Sequence, residues 1–149
     1  MDSMPVASAL DTTALAARLR LGVTRLARKL RQEAEPGITP SMLSALASVQ
    51  RHETLTMRHL CDAEQVSPPT MTRIVAALVE AGLVAREADP LDGRVAWVRL
   101  SPAGAKLLER SRRRKEAYLS KALQRLEPRE VEVLEEAAGI LERLTGSPS

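Results

Sequence analysis

The sequence predicts a mainly α chain with one small β-hairpin, laid out as a winged helix-turn-helix with a helical extension. Three observations carry that expectation. Two short helices are joined by a tight link over residues 56–81. The second runs directly into two strands around Asp89-Pro90-Leu91-Asp92-Gly93-Arg94, a turn with a basic tip. Aromatic residues make up only 1% of the 149 residues, so the core is built from aliphatic side chains, which suits helices packed side by side.

The elements follow in order. Residues 11–33 read as a helix, with Leu15, Leu19, Val23, Leu26 and Leu30 in one apolar stripe. Glu35-Pro36-Gly37 breaks it. Thr39 caps a second helix with Pro40 at its first position, and Met42, Leu43, Leu46 and Val49 form its apolar side. Thr56 caps a short third helix to about Ala63, with Leu60 inward. Ser67 caps the fourth. Pro68 and Pro69 carry no N–H, so the cap bond must go to Thr70. Met71, Ile74, Val75 and Leu78 form its buried face, and Gly82 supplies a left-handed stop. Val84–Ala88 and Val95–Leu100 alternate as strands, and Asp92-Gly93 provides turn chemistry. Ser101-Pro102 opens a long fifth helix to about Arg125, with a stripe of Leu108, Leu119, Ala122 and Leu126. Glu127-Pro128 precedes a last helix over about 129–144, with Val131, Leu134, Ala138 and Leu141 in register. The expected division is a winged helix-turn-helix over 39–100, a helical region over 10–35 and 102–145 expected to dimerise because the chain is too small to bury the apolar stripes of its first and last helices, and flexible ends at 1–9 and 146–149.

Composition narrows the function. One Trp, one Tyr and no Phe argue against single-strand or RNA readers, which stack bases on aromatic rings. One cysteine excludes an intrachain disulfide, and with two histidines it leaves too few ligands for a zinc finger. No glycine-rich phosphate loop, metal-binding helix motif or nucleophile elbow is present, so no enzyme and no cofactor are expected. The N-terminal MDSMPVASAL is a poor signal peptide and no apolar run approaches a membrane span, so the expected location is the cytoplasm. Net charge is +3, unevenly placed: residues 101–125 sum to +6, 126–149 to −4 and 54–100 to −1. The segment expected to read DNA is therefore not basic overall, and placement of its cations has to do what their sum does not.

In a helix-turn-helix the second helix enters the major groove with its first residues at the base edges. Arg73 then suits guanine or a phosphate, Thr70 and Thr72 suit phosphate or bases, and Pro69 offers apolar contact, with Ser67 setting the helix start. Arg94 at the wing tip suits the narrow minor groove, Asp92 orders the loop, and Arg86 reaches phosphate. The alternative is a solvated surface helix beside a solvated hairpin.

The motifs carry a family resemblance. Asp92-Gly93-Arg94, followed by Val98-Arg99-Leu100-Ser101-Pro102-Ala103-Gly104, resembles the D-x-R…L-T-x-x-G signature of the MarR (multiple-antibiotic-resistance regulator) family, with Ser101 for the usual Thr. Ser67-Pro68-Pro69-Thr70-Met71-Thr72-Arg73 resembles its recognition helix. Leu78 through Arg86 resembles its L-x-x-x-G-L-V-x-R continuation. The resemblance implies a homodimer joined through the first, fifth and sixth helices. It also implies a pseudo-palindromic duplex operator, repression relieved by a small molecule, and an effector pocket between the dimerisation region and the reading heads.

The cation run from Arg110 to Lys115 suggests that Arg110, Arg112 and Arg113 hold an anionic effector; a solvated face or an ion-pair network is the alternative. Cys61 as a redox switch, and His52, His59 and Cys61 as a metal site, are the remaining sensor readings. His59 and Cys61 are two apart on a helix and are expected to face different ways. The rival from another class is a helical protein-interaction module.

Overall fold

The computed structural model describes residues 7–146, with side chains described from Asp11 onward. Its elements are α1 (Ala7–Arg31), α2 (Pro40–His52), β1 (Thr54–Thr56), α3 (Met57–Glu64), α4 (Pro68–Glu80), β2 (Val84–Ala88), β3 (Ala96–Leu100), α5 (Pro102–Leu123) and α6 (Pro128–Thr145). α1 thus starts four residues earlier and stops two residues sooner than its periodicity predicts. Of the ends expected to be flexible, 1–6 and 147–149 lie outside the described residues. Ala7, Ser8 and Ala9 belong to α1, and Gly146 caps the end of α6.

Four helix starts are fixed by side-chain caps, because the first N–H groups of a helix have no intrahelical acceptor. Thr39 Oγ1 accepts from Met42 N–H at 3.1 Å, and Thr56 Oγ1 from His59 N–H at 3.1 Å. Ser67 Oγ accepts from Thr70 N–H at 3.4 Å, and Ser101 Oγ from Gly104 N–H at 3.0 Å. The Ser67 bond is the one its two following prolines leave available. α6 uses a different device: Glu127 and Glu130 form a reciprocal capping box. The C-terminus of α4 closes as a Schellman motif, with Leu83 N–H donating to Leu78 O and Gly82 N–H to Val79 O, both at 2.9 Å. Gly82 sits at φ +74°, the left-handed conformation its sequence position predicts.

The wing is a three-stranded antiparallel sheet in the order β1-β3-β2, where the sequence predicts a two-stranded hairpin. β1 pairs with β3 through Thr54↔Arg99, Leu55↔Val98 and Thr56↔Trp97. Three residues are too few to display alternation, and β1 exists only because β3 offers it a ladder. β3 begins at Ala96 and not Val95, whose N–H closes the turn onto Asp92 O at 3.0 Å.

The core lies between α2, α3, α4, the sheet and the first turns of α5. Ala45, Leu46, Val49, Leu60, Met71, Val75, Leu78 and Val98 are fully buried. Each large side chain among them contributes about 1.5–3 kcal/mol of burial. In α5 the buried apolar residue is Leu107, not Leu108, which is only partly covered; the buried Gly104 and Ser111 complete that face. The stripes of α1 and α6 stand in contrast: Leu15, Leu19, Val23, Leu26, Val131, Leu134 and Leu141 are all exposed.

Gly104 explains why α5 can lie so close to the wing. A Cβ built on it would stand 2.2 Å from Leu83 O and 2.9 Å from Leu100 Cδ1. Ser101 completes the joint, its Oγ donating to Gly82 O at 2.6 Å and its N–H to Leu83 O at 3.1 Å. Among the described residues no helix is long and apolar enough to cross a membrane.

Candidate nucleic-acid interface

The helix-turn-helix is α3 and α4, joined through Gln65 and Val66. Gln65 takes the left-handed conformation (φ 52°), and its N–H and that of Val66 return to Asp62 O and Cys61 O. A non-glycine residue there carries a strain of about 1 kcal/mol. Glu64, the last residue of α3, ties the pair to α2 by accepting from Ser44 Oγ at 3.1 Å and Ser48 Oγ at 3.3 Å.

The predicted α4 residues fall together on its outer, N-terminal side. Ser67, Pro69, Thr72 and Arg73 are exposed and Thr70 is half-buried. Ser67 Oγ also donates to Thr70 Oγ1 at 2.9 Å, and Thr72 Oγ1 donates to Pro68 O at 2.8 Å. Both threonine hydroxyls are therefore oriented by their own helix.

At the wing, Arg94 projects with its side chain 91% exposed, and Asp92 holds its base. Asp92 Oδ1 accepts from Arg94 N–H at 3.0 Å and from Arg94 Nε–H at 3.2 Å. Asp89 organises the rest of the turn, a role absent from the expectations drawn from the sequence. Its Oδ1 accepts from Leu91 N–H at 2.8 Å and Asp92 N–H at 3.1 Å, and its Oδ2 accepts from Trp97 Nε1–H at 2.8 Å. The Trp97 donor, helped by the two backbone N–H groups, holds the Asp89 carboxyl below the ordinary aspartate range. The local signal is no more than an Asp at the start of a Pro-containing turn; the Trp partner lies across the hairpin.

The regional charge of −1 conceals an asymmetry. Of the six carboxylates in 54–100, Glu87 and Asp92 are ion-paired with Arg99 and Arg94, whereas Glu64 and Asp89 accept from neutral donors and keep their charge. Among the described residues Arg58, Arg73 and Arg86 are exposed and take part in none of the ion pairs, so their charge is available to an outside anion.

Between α3, the start of α4 and the wing lies a cleft of about 700 Å³, bordered by Arg58, His59, Asp62, Thr72, Arg86 and Arg94. Cys61 also borders it and is buried, so His59 and Cys61 share this cleft although helix spacing predicts different directions. His52 is elsewhere, on α2, its Nδ1 3.0 Å from Ser48 O. Among the described residues no group of three or more His, Cys, Asp or Glu side chains is placed to hold a metal.

The three arginines expected to hold an effector are separated. Arg110 forms a two-point pair with Glu35, at 2.5 and 3.2 Å. That hydrogen bond lowers the Glu35 pKa and raises that of Arg110. Arg112 and Arg113 both pair with Glu109. Only Arg112 borders the cavity between α2 and α5, about 310 Å³, together with Leu43, Ala47, Ser111, Lys115 and Leu119. Ser111 Oγ is buried there without a hydrogen-bond partner.

Comparison with known proteins agrees with this architecture. Residues 37–95 match the model of the MarR family. An uncharacterised HTH-type transcriptional regulator of Mycobacterium leprae is 39% identical over 142 residues, covering 93% of this chain and 99% of its own. The crystal structure of a provisionally assigned transcriptional regulator from Pseudomonas aeruginosa PA01 superposes with a TM-score of 0.80 at 32% identity, covering 91% of this chain and 96% of the other. An S. aureus MepR variant bound to an oligodeoxyribonucleotide shares the fold, with a TM-score of 0.68 at 22% identity over 90% of this chain and 98% of that one. The chain belongs to the MarR family of winged helix-turn-helix transcriptional regulators.

Proposed function

We propose that this protein is a non-enzymatic, homodimeric repressor that binds a pseudo-palindromic duplex operator and leaves it when a small molecule is bound. The observation that carries the reading is the pairing of two exposed basic elements on one head. The start of α4 offers Pro69, Thr70, Thr72 and Arg73 under the Ser67 cap, and the wing offers Arg94 steadied by Asp92. α4 enters the major groove, Arg94 the adjacent minor groove, and Arg86 takes a phosphate. Residues 39–100 act as the reading head.

The exposed stripes of α1 and α6 support the dimer, since leucines at such spacing on both terminal helices belong against a partner. On this reading 10–35 and 102–145 form the dimerisation region, and the +6 and −4 segments pair across it. The effector sits in the α2–α5 cavity, where Ser111 Oγ is buried without a partner and the cations Arg112 and Lys115 are balanced by Glu109 and Glu116, beside the apolar Leu43, Leu108 and Leu119. Arg110 keeps Glu35, and Arg112 and Arg113 share Glu109.

Selection of genomic duplex fragments by the purified protein tests this, repeated with Arg73→Ala and Arg94→Ala. Enrichment of one inverted repeat, lost in both variants, is expected. Binding without sequence preference, or enrichment unaffected by both substitutions, would sink the assignment of the reading head.

A further inference from the structure

The cavity between α2 and α5 holds about 310 Å³, the low end of the roughly 300–1,000 Å³ of small-molecule sites, and suits one or two rings. Its apolar lining comes from both helices. Leu43 and Ala47 border it from α2, Leu108 and Leu119 from α5, and all four are only half-buried. An apolar molecule would cover the surface that they leave in water. The charges of the lining cancel: Arg112 and Lys115 border the cavity together with Glu109 and Glu116. Glu109 already holds Arg112. Arg113, which shares Glu109, lies outside the lining with its side chain 75% exposed, so water screens it. An anion reaching Arg112 has to displace a carboxylate tethered on the same helix, and beside Lys115 it meets Glu116. It gives up its hydration without gaining an unopposed cation.

Ser111 sets the polar requirement. It borders the cavity from α5, is 4% exposed, and its Oγ has no hydrogen-bond partner. Buried hydroxyls are nearly always paired, because the hydration lost on burial is not otherwise returned. This one is closed off from bulk water, so its partner has to arrive with the molecule that fills the cavity. We infer that the cavity selects an uncharged, mainly apolar ligand of one or two rings with a single hydrogen-bonding group. That group pairs with Ser111 Oγ, and the carboxylate of the same skeleton is disfavoured. The inference rests on the proposed effector role of this cavity and names the class of molecule that fills it. It replaces the anionic effector suggested by the arginine run, whose members are taken by Glu35 and Glu109.

Matched pairs of probes test it on the full-length protein at neutral pH: benzamide and benzoate, cyclohexanecarboxamide and cyclohexanecarboxylate, naphthamide and naphthoate. Affinities are read by ligand-observed NMR and calorimetry. Within each pair that binds, the amide is expected to bind roughly tenfold tighter or more than the carboxylate. Ser111→Ala weakens the amides roughly five- to tenfold, while its melting temperature stays at or above wild type, because the hydroxyl it removes had no partner. Ala47→Leu adds bulk from α2 and weakens every probe. A carboxylate binding as tightly as its amide overturns the inference, and so does the absence of binding by any probe. Amide affinity unchanged in Ser111→Ala or in Ala47→Leu places the contact elsewhere and also overturns it. Operator binding is followed in the same series. Operator that stays bound at saturating amide removes the effector role but bears out the ligand class. Release by a carboxylate and not by its amide keeps the effector role and overturns the ligand class.

Discussion

Substituting Gly104 with alanine is the sharpest test of how α5 is joined to the wing. In an ordinary helix the change stabilises by about 1 kcal/mol, because alanine has the better propensity. Here the new Cβ would stand 2.2 Å from Leu83 O, a main-chain atom, and 2.9 Å from Leu100 Cδ1. A carbon–oxygen contact needs roughly 3.3 Å, so the two backbones must part by about 1 Å. Parting lengthens the Ser101 N–H to Leu83 O bond, now 3.1 Å, and the Ser101 Oγ to Gly82 O bond, now 2.6 Å. Overpacking of this kind costs about 1–3 kcal/mol, and two weakened hydrogen bonds add about 1 kcal/mol each. Less the propensity gain, a net destabilisation of about 2–4 kcal/mol is expected. Urea unfolding followed by Trp97 fluorescence, at fixed protein concentration so that any association is held constant, measures it. A variant equal to or more stable than wild type would refute the close-approach argument.

Three other outcomes are expected. Asp89 has its carboxyl held low chiefly by the Trp97 donor, so the stability it adds is complete above the unfolded aspartate value of about 3.9 and is lost as pH falls through its lower folded value. Trp97 emission should therefore change on acidification below about pH 4 in wild type and lose that transition in Asp89→Asn; an identical acid profile counts against the contact. Gln65→Gly relieves a left-handed residue at φ 52° whose cap bonds are all backbone, and should raise stability by about 1 kcal/mol in urea unfolding; a loss would mean that the Gln65 side chain holds the turn. Leu134→Glu places a charge in the exposed α6 stripe and should shift sedimentation towards monomer while leaving the head folded; an unchanged sedimentation coefficient would take α6 out of the proposed interface.

What is legible in the sequence is local. Thr39, Thr56, Ser67 and Ser101 announce caps because the cap bond spans three residues, and Gly82 announces a stop because no other residue takes its φ cheaply. Elements fixed from a distance are not legible. β1 is a strand only through β3, more than forty residues on. Asp89 gains its role from Trp97 across the hairpin, and Gly104 from Leu83 on another element. Arg58 lies on the outer side of α3 by its spacing, but spacing does not say that the wing stands opposite. Leu107 is buried where the stripe points to Leu108, because one residue of phase in a long helix decides which leucine faces in. The arginine run reads as one cluster, yet a helix turns 100° per residue and delivers its members to Glu35, Glu109 and the α2–α5 cavity separately.

The central position of β3 has a mechanical consequence. β1 follows α2 after one residue, Glu53, and is laced to β3, which leads out of the turn carrying Arg94. The other side of α2 meets α3 through Glu64, and α2 also supplies Leu43, Ala47 and Gln50 to the wall of the 310 Å³ cavity. Finger and reading helix are thus geared to one shaft. On the proposed function, a molecule wedged against α2 would move both together, and the distance between the two heads of the proposed dimer, not the shape of either, would be the quantity that a ligand sets.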